Sequence, residues 1–348
     1  MKLDNLHYNF TKIDGYNKPF NFIISEREAG KSTALWIKIY RMWRDKGKPS
    51  IVLRRLIADV TETYISDIQE VLNKFLDTPI ELEFKKGDLK TGIVDVYINK
   101  HLFVRVMGMS APISRIKSLI VRNVGYMVMD EFICNIRMGE KYLQDEAFKF
   151  KEIYNTFQRE SDGLKCYFMG NPYSLYNPYF VWVGADTSKI KRGSVLVGEV
   201  WAIECYEITQ ELKDFILARN PLYKFSDEYT KYAFGGEAIN DINIRVRKEQ
   251  PENYRLIQIF KVEGKYLGVF RNNKFDHENE FWVSEIEYVG DRRKIYCFDF
   301  AELVQHSVLL SSVDKIDFQL LKEAIRTRAV EFENIECSYL MEEVYGNI

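Results

Sequence analysis

The residues best placed to do chemistry are the run Ser25-Glu26-Arg27-Glu28-Ala29-Gly30-Lys31-Ser32-Thr33 and the acidic pair Asp130-Glu131. The first eight match the pattern G-x-x-x-x-G-K-[ST] except at its first position, where Ser25 replaces glycine. Such a loop curls backbone N–H groups around the β-phosphate of a nucleoside triphosphate, with the positive end of a helix dipole beneath. In that chemistry Gly30 lets the backbone approach closely, Lys31 reaches the β- and γ-phosphates, and the Ser32 hydroxyl goes to Mg²⁺. A plain strand-to-helix turn with Lys31 in solvent is the competing reading. Context argues against it: Phe20-Asn21-Phe22-Ile23-Ile24 reads as a short buried strand, and Lys31 to Trp43 carries Leu35, Ile39 and Met42 at helical spacing.

Asp130-Glu131 closes the apolar run Tyr126-Met127-Val128-Met129, which reads as a central parallel strand. In a parallel sheet the carboxyl ends of the strands form the ligand crevice. Asp130 is therefore a candidate to hold Mg²⁺, directly or through water, and Glu131 to polarise an attacking water. Asn171, just past the apolar run Cys166 to Met169, can bring an uncharged amide to the same crevice as a sensor of water or γ-phosphate; an Asn-Pro turn is the local alternative. A transferring phosphoryl group also needs positive charge, and ring ATPases often borrow an arginine from the neighbouring subunit. Arg159 is the first candidate and Arg137 the second, against the ordinary fate of a solvated surface arginine.

The elements that must position these groups follow a β-α-β-α order. Strand Phe20 to Ile24 and the helix from Lys31 lead to strand Ser50 to Leu53, then a helix from Val60 to Phe75, so an α/β fold with a parallel core is expected. Residues 93–107 alternate strictly about an Asn99-Lys100 turn and read as a hairpin with one wet face. Past residue 200 the texture changes to two helices, Ile208 to Ala218 and Tyr229 to Ile239, and then to short strands. The expected organisation is residues 1–200, a helical linker 201–245, and a smaller α+β domain 246–348.

A net charge of −2 rules out binding nucleic acid through a global positive field. Five widely spaced cysteines offer no metal-ligand spacing and point to a reducing cytoplasm. No apolar run is long enough to span a bilayer, and no membrane partner is expected.

Taken together, the deviant loop with Arg27 inside it, Arg54-Arg55 closing the second strand, Arg115-Ile116-Lys117-Ser118, Tyr126 to Phe132 around the acidic pair, and Met169-Gly170-Asn171-Pro172 resemble a phage DNA-packaging ATPase, a motor subunit related to large terminases. Within that group the chain is most similar to the encapsidation ATPase of small podophages whose genomes carry a covalently attached terminal protein. The resemblance is at the level of motifs over residues 20–175 and of architecture beyond. It implies an additional-strand catalytic-glutamate P-loop domain using ATP and Mg²⁺, and a ring, a pentamer in the family, acting in the host cytoplasm and transiently at the portal (connector) vertex of a prohead. It also implies double-stranded viral DNA as cargo, with the C-terminal domain docking the ring either to the portal or to a packaging RNA. For the C-terminal domain it implies a vestigial RNase H-like fold: Asp299 and Glu302 lie in a strand-like stretch, without the further carboxylates that two-metal cleavage needs.

A translocating ring needs cations that touch phosphates without reading bases. Lys85, Lys86 and Lys90 before the hairpin, Lys100 at its turn, and Arg115 with Lys117 are the candidates, although basic loop residues more often serve solubility alone. The competing functional readings are a small-molecule kinase, a helicase-like ATPase and a binding module with a relic nucleotide site. The chain has no arginine-rich lid resembling a kinase's, no second P-loop for a helicase, and intact Lys31, Ser32, Asp130 and Glu131 where a relic would have lost them.

Overall fold

The structure, a computed structural model, describes residues 7–118, 120–135, 138, 140–173, 175, 177–224, 245–274, 280–287, 294–298, 300–326 and 329–347. The chain divides into two compact units, Met1–Asp241 and Ile242–Ile348. Elements of the first unit are α1 (Thr11–Asp14), β1 (Phe20–Ile24), α2 (Lys31–Lys46), β2 (Ser50–Arg54), α3 (Glu62–Asn73), β3 (Glu83–Phe84), β4 (Ile93–Ile98), β5 (His101–Gly108), α4 (Ile113–Ser118), β6 (Tyr126–Asp130), α5 (Glu146–Gln158), β7 (Lys165–Gly170), α6 (Pro178–Trp182), β8 (Val195–Val197), β9 (Trp201–Cys205) and α7 (Gln210–Arg219).

These strands form one nine-stranded sheet in the order β3-β4-β5-β2-β6-β7-β1-β9-β8. Its core, from β5 to β9, is parallel throughout, and antiparallel strands close both edges. Helices on both faces explain why the central strands are near-continuous apolar runs. On one face Leu35 and Ile39 of α2 and Ile65, Ile68 and Leu72 of α3 pack on Ile23, Val52, Val104 and Val128. Burying each such aliphatic side chain stabilises the fold by roughly 1.5–3 kcal/mol. Strand alternation sends Phe22 and Phe168 to the other face. There they stack at 4.3 Å between ring centroids and meet Phe132, Phe150, Tyr179 and Phe180.

Local chemistry sets the helix ends. Thr61 caps α3 by accepting from Tyr64 N–H, and Asn177 caps α6 by accepting from Tyr179 and Phe180 N–H, with Pro178 at the first helical position. Gly47, at φ +64°, ends α2 in the left-handed conformation that favours glycine.

Two expectations are corrected. The first unit does not stop at residue 200: β9 lies in its sheet, parallel to β1, and the unit runs to Asp241. Glu204 interrupts the apolar pattern of Trp201 to Cys205, which hid that strand. Of the segment expected as a linker, α7 packs Leu212 and Ile216, with Ile208, on Ala29; the expected helix Tyr229 to Ile239 lies outside the described residues. The hairpin also lacks a wet face on β5, which sits between β4 and β2 and is buried from Phe103 to Gly108.

The second unit comprises β10 (Arg245–Val246), β11 (Tyr254–Val262), β12 (Lys265–Asn272), β13 (Phe281–Glu285), β14 (Ile295–Cys297), β15 (Ser307–Leu309), α8 (Gln319–Arg326), β16 (Val330–Phe332) and α9 (Ile335–Asn347). Its sheet order is β10-β16-β13-β12-β11-β14-β15. Strands β11 to β13 form an antiparallel meander, and β14 and then β15 add in parallel beside β11. Phe318, Leu321, Leu340, Met341 and Val344 cover this sheet on Phe260, Leu267, Val269 and Val283. Asp299 and the side chain of Glu302 lie outside what is described.

Candidate active site

Register alone brings the candidate residues together. Ile24 pairs with Gly170, Met169 with Asp130, and Leu53 with Met129, so β1, β7, β6 and β2 end side by side at one edge of the sheet. The loop after β1, the acidic pair after β6 and Asn171 after β7 therefore open onto the same groove. Arg27, Glu28, Ala29, Gly30, Lys31, Ser32, Thr33, Asp130, Glu131 and Asn171 line it, with a volume near 290 Å³. Ser25 and Glu26 lie beneath it, both buried.

Gly30 sits at φ +69°, and a Cβ there would come within 2.9 Å of the His7 backbone. Tyr8 N–H donates to Ala29 O at 3.0 Å, so the N-terminal strand of chain clasps the back of the loop. The Lys31 ammonium donates to Ser25 O at 2.9 Å, Ser25 Oγ at 2.8 Å, Glu26 O at 2.9 Å and Asn171 Oδ1 at 3.1 Å. Burial lowers its pKa to about 7 against the pull of Asp130 and Glu131. Ser25, the departure from the glycine pattern, thus supplies an extra acceptor for Lys31. Arg27 donates to the Tyr173 hydroxyl, which also accepts from Asn171 Nδ2 at 3.3 Å. Glu26 is ion-paired with Arg192 and Asn220 reaches Glu28, which ties the loop to the β8 side of the sheet and to the end of α7.

The acidic pair is held by a partner that local sequence patterns did not identify. Arg54 Nη1 lies 2.9 Å from Asp130 Oδ2, and its Nη2 lies 3.0 Å from Glu131 Oε2. Its guanidinium rests 5.0 Å from the centre of the Tyr64 ring, and the Tyr64 hydroxyl donates to Asp130 Oδ2 at 3.3 Å. Burial raises the Asp130 pKa, with Arg54 opposing. Glu131 is exposed and has φ +59°, a left-handed backbone that costs a non-glycine residue roughly 1–2 kcal/mol. A metal would find donors of fitting chemistry here, a hydroxyl at Ser32 and a carboxylate at Asp130, on one groove wall and the other.

The remaining candidates are placed as follows. Arg159 is exposed at the C-terminal end of α5, whose next residue, Glu160, accepts from Asn123 N–H just before β6 begins. It therefore lies at the sheet edge opposite the groove of its own chain. Arg137 lies outside the described residues. Lys85, Lys86 and Lys90 precede β4 and Lys86 pairs with Glu62 at 2.6 Å. Arg115 and Lys117 lie on α4, Lys117 pairing with Glu152 at 2.5 Å. Lys100 turns the hairpin at the start of β5, at the opposite edge from Lys90, so the six do not gather on one end of the sheet.

Comparisons with known proteins assign the chain to a family. The model of the podovirus DNA encapsidation protein (Gp16) family matches residues 3–348. The DNA packaging protein of Bacillus phage PZA is 28% identical over 334 residues, 94% of this chain and 94% of that protein. That of Bacillus phage B103 is 23% identical over 325 residues, 92% and 94% of the two chains. The fold matches the Phi-28 gp11 DNA packaging motor with a TM-score of 0.67, at 15% identity, over 99% of this chain and 98% of that one. It matches the bacteriophage Phi-29 viral genome packaging motor assembly with a TM-score of 0.66, at 21% identity, over 98% and 99%. The groove is thus carried on the fold of a packaging-motor subunit, and the chain belongs to the podovirus DNA encapsidation protein (Gp16) family.

Proposed function

We propose that this chain is the ATP-hydrolysing subunit of a ring that drives double-stranded viral DNA into a prohead. The observation that carries the reading is one groove lined by Lys31, Ser32, Asp130, Glu131 and Asn171, at the carboxyl ends of parallel strands and above the N-terminus of α2. On this reading, residues 25–33 form a P-loop whose backbone and Lys31 hold the β- and γ-phosphates of ATP. Ser32 and Asp130 would hold a magnesium ion, which when bound offsets charge on the phosphate oxygens. Glu131 polarises the attacking water, a role that requires its carboxylate to leave Arg54. Asn171, already bonded to Lys31, senses the γ-phosphate or the water. Arg159, being remote from its own groove, acts on a neighbouring subunit, which makes hydrolysis a property of the ring.

The second unit supports a vestigial RNase H-like domain. Its strands β13-β12-β11-β14-β15 run as an antiparallel meander extended by two parallel strands, the order such a fold uses. On this reading the domain docks the ring to the portal or to a packaging RNA. A homopentameric ring in the host cytoplasm, transiently on the portal vertex, is the assembly proposed. DNA contacts are sought among Lys85, Lys86, Lys90, Arg115 and Lys117, with Lys100 on the far edge.

The test is ATP turnover with and without double-stranded DNA, run beside a size measurement of the particle. Double-stranded DNA is expected to raise turnover several-fold, and the rise to shrink as salt increases, because phosphate contacts release counterions. Turnover indifferent to DNA at every salt concentration would favour another P-loop NTPase.

Lys31 adds a pH prediction. Its pKa is near 7 in the folded protein against an ordinary 10.5, so the unfolded chain binds the extra proton between those values. Stability from this group therefore rises with pH across that window, and its penalty is complete below about 7. Triphosphate oxygens favour the ammonium, so nucleotide binding above pH 7 takes up a proton and weakens as pH rises. Calorimetric titration at pH 6.5 and 8.5, in buffers of different ionisation enthalpy, should show several-fold greater proton uptake at the higher pH.

A further inference from the structure

Behind the groove, Arg55 and Glu146 form an ion pair that is almost wholly shielded from solvent, at 8% and 1% exposure. Arg55 Nε lies 2.9 Å from Glu146 Oε2, and its Nη2 lies 3.1 Å from Glu146 Oε1. The carboxylate also accepts from the Tyr179 hydroxyl at 2.9 Å and from Leu143 N–H at 2.8 Å. Arg55 Nη2 makes one more bond, to the carbonyl oxygen of Phe132 at 2.9 Å. That bond matters because of where Phe132 stands. Its N–H donates to Met169 O at 3.1 Å, and the residue before it is Glu131, in a left-handed backbone conformation at φ +59°.

Two successive peptide groups after the Glu131 Cα are thus held, one by β7 and one by Arg55. Without the second, the peptide after Phe132 loses its side-chain anchor, and the left-handed turn at Glu131, which a glutamate ordinarily disfavours, rests on the single Phe132 N–H bond to β7; relaxation of that turn would move the carboxylate away from the groove. A buried pair contributes little net stability compared with apolar residues of the same volume, so its directional bonds are what such a pair offers. We infer that Arg55, oriented by Glu146 and Tyr179, is a positioning residue for Glu131: it acts on hydrolysis through the backbone of the acidic pair and touches neither nucleotide nor metal. This rests on the reading of Glu131 as the group that polarises water.

The test uses the full chain with Arg55→Lys and Tyr179→Phe, each in the native background and in Glu131→Gln. Alanine at Arg55 is avoided, since it would leave Glu146 charged and unpaired inside the protein. Single-turnover and steady-state ATP hydrolysis are measured with nucleotide affinity and thermal melting. Arg55→Lys is expected to lower kcat about tenfold or more, and Tyr179→Phe a few-fold, with KM and nucleotide Kd within about twofold of native. In the Glu131→Gln background neither substitution should lower the residual rate further, because the group they position is already gone. Equal losses in both backgrounds, or a native kcat in both single variants, would overturn the inference. If Arg55→Lys does not fold, Tyr179→Phe decides by the same comparison. Absence of turnover in the native protein would instead strike the ATPase reading, and the positioning role with it.

Discussion

Lys31→Ala is expected to leave a folded protein whose ATP turnover is lower by two to three orders of magnitude or more. A preorganised cation in a groove shielded from water is worth far more to a phosphoryl group than one in solvent, and removing a single such donor typically costs on the order of 10²–10³ in rate. Charge-assisted hydrogen bonds contribute about 1.5–3 kcal/mol each, so nucleotide affinity should also fall by roughly ten- to a hundredfold. The fold itself should tolerate the change. Lys31 holds a charge that burial disfavours, and without it Ser25 N–H still donates to Gly170 O, Glu26 O still accepts from the Ser25 hydroxyl, and the Glu26 carboxylate keeps Arg192. Thermal melting at or above the native value, alongside lost turnover, is the expected pair of results. Native turnover in Lys31→Ala would remove the phosphate grip from the site.

Glu131→Gln should separate binding from chemistry. Its amide keeps the size of the side chain but no longer serves as a base, and loss of a positioned base costs about 10²–10⁴ in rate. Nucleotide binding should persist, since Lys31, Ser32 and the loop backbone are untouched. The same variant tests the ring. A subunit bearing Arg159→Ala retains an intact groove, and a Glu131→Gln subunit retains an intact Arg159. If Arg159 serves a neighbour, mixing the two inactive variants should recover part of the hydrolysis at interfaces that combine a sound groove with a sound arginine. Failure of recovery at every mixing ratio would return Arg159 to an ordinary surface role.

Much of this site was legible in the residues because its chemistry is local. The apolar run Phe20 to Ile24, the turn at Gly30 and the helix from Lys31 carry their own signals, as does Asp130-Glu131 at the end of an apolar strand. What was not legible depends on strand order, which spacing along the chain does not encode. Arg54 was visible only as one of two arginines closing a strand; its bonds to Asp130 and Glu131 follow from β2 lying directly beside β6. Arg55 and Glu146 looked like two ordinary charged residues, yet meet in the interior with Tyr179. Strand β9 was missed because Glu204 breaks its apolar pattern, and its carboxylate is satisfied by the hydroxyl of Tyr8 at 2.5 Å, from the other end of the unit.

That last pairing bears on how the molecule comes into being. The strand feeding the phosphate loop is flanked by β7 and β9, and the clasp at its back needs Tyr8 to find Glu204. None of these partners has left the ribosome when residues 8–33 emerge. The segment that grips nucleotide is thus made well before its native neighbours and must wait for them, a long-range closure of the kind that slows folding.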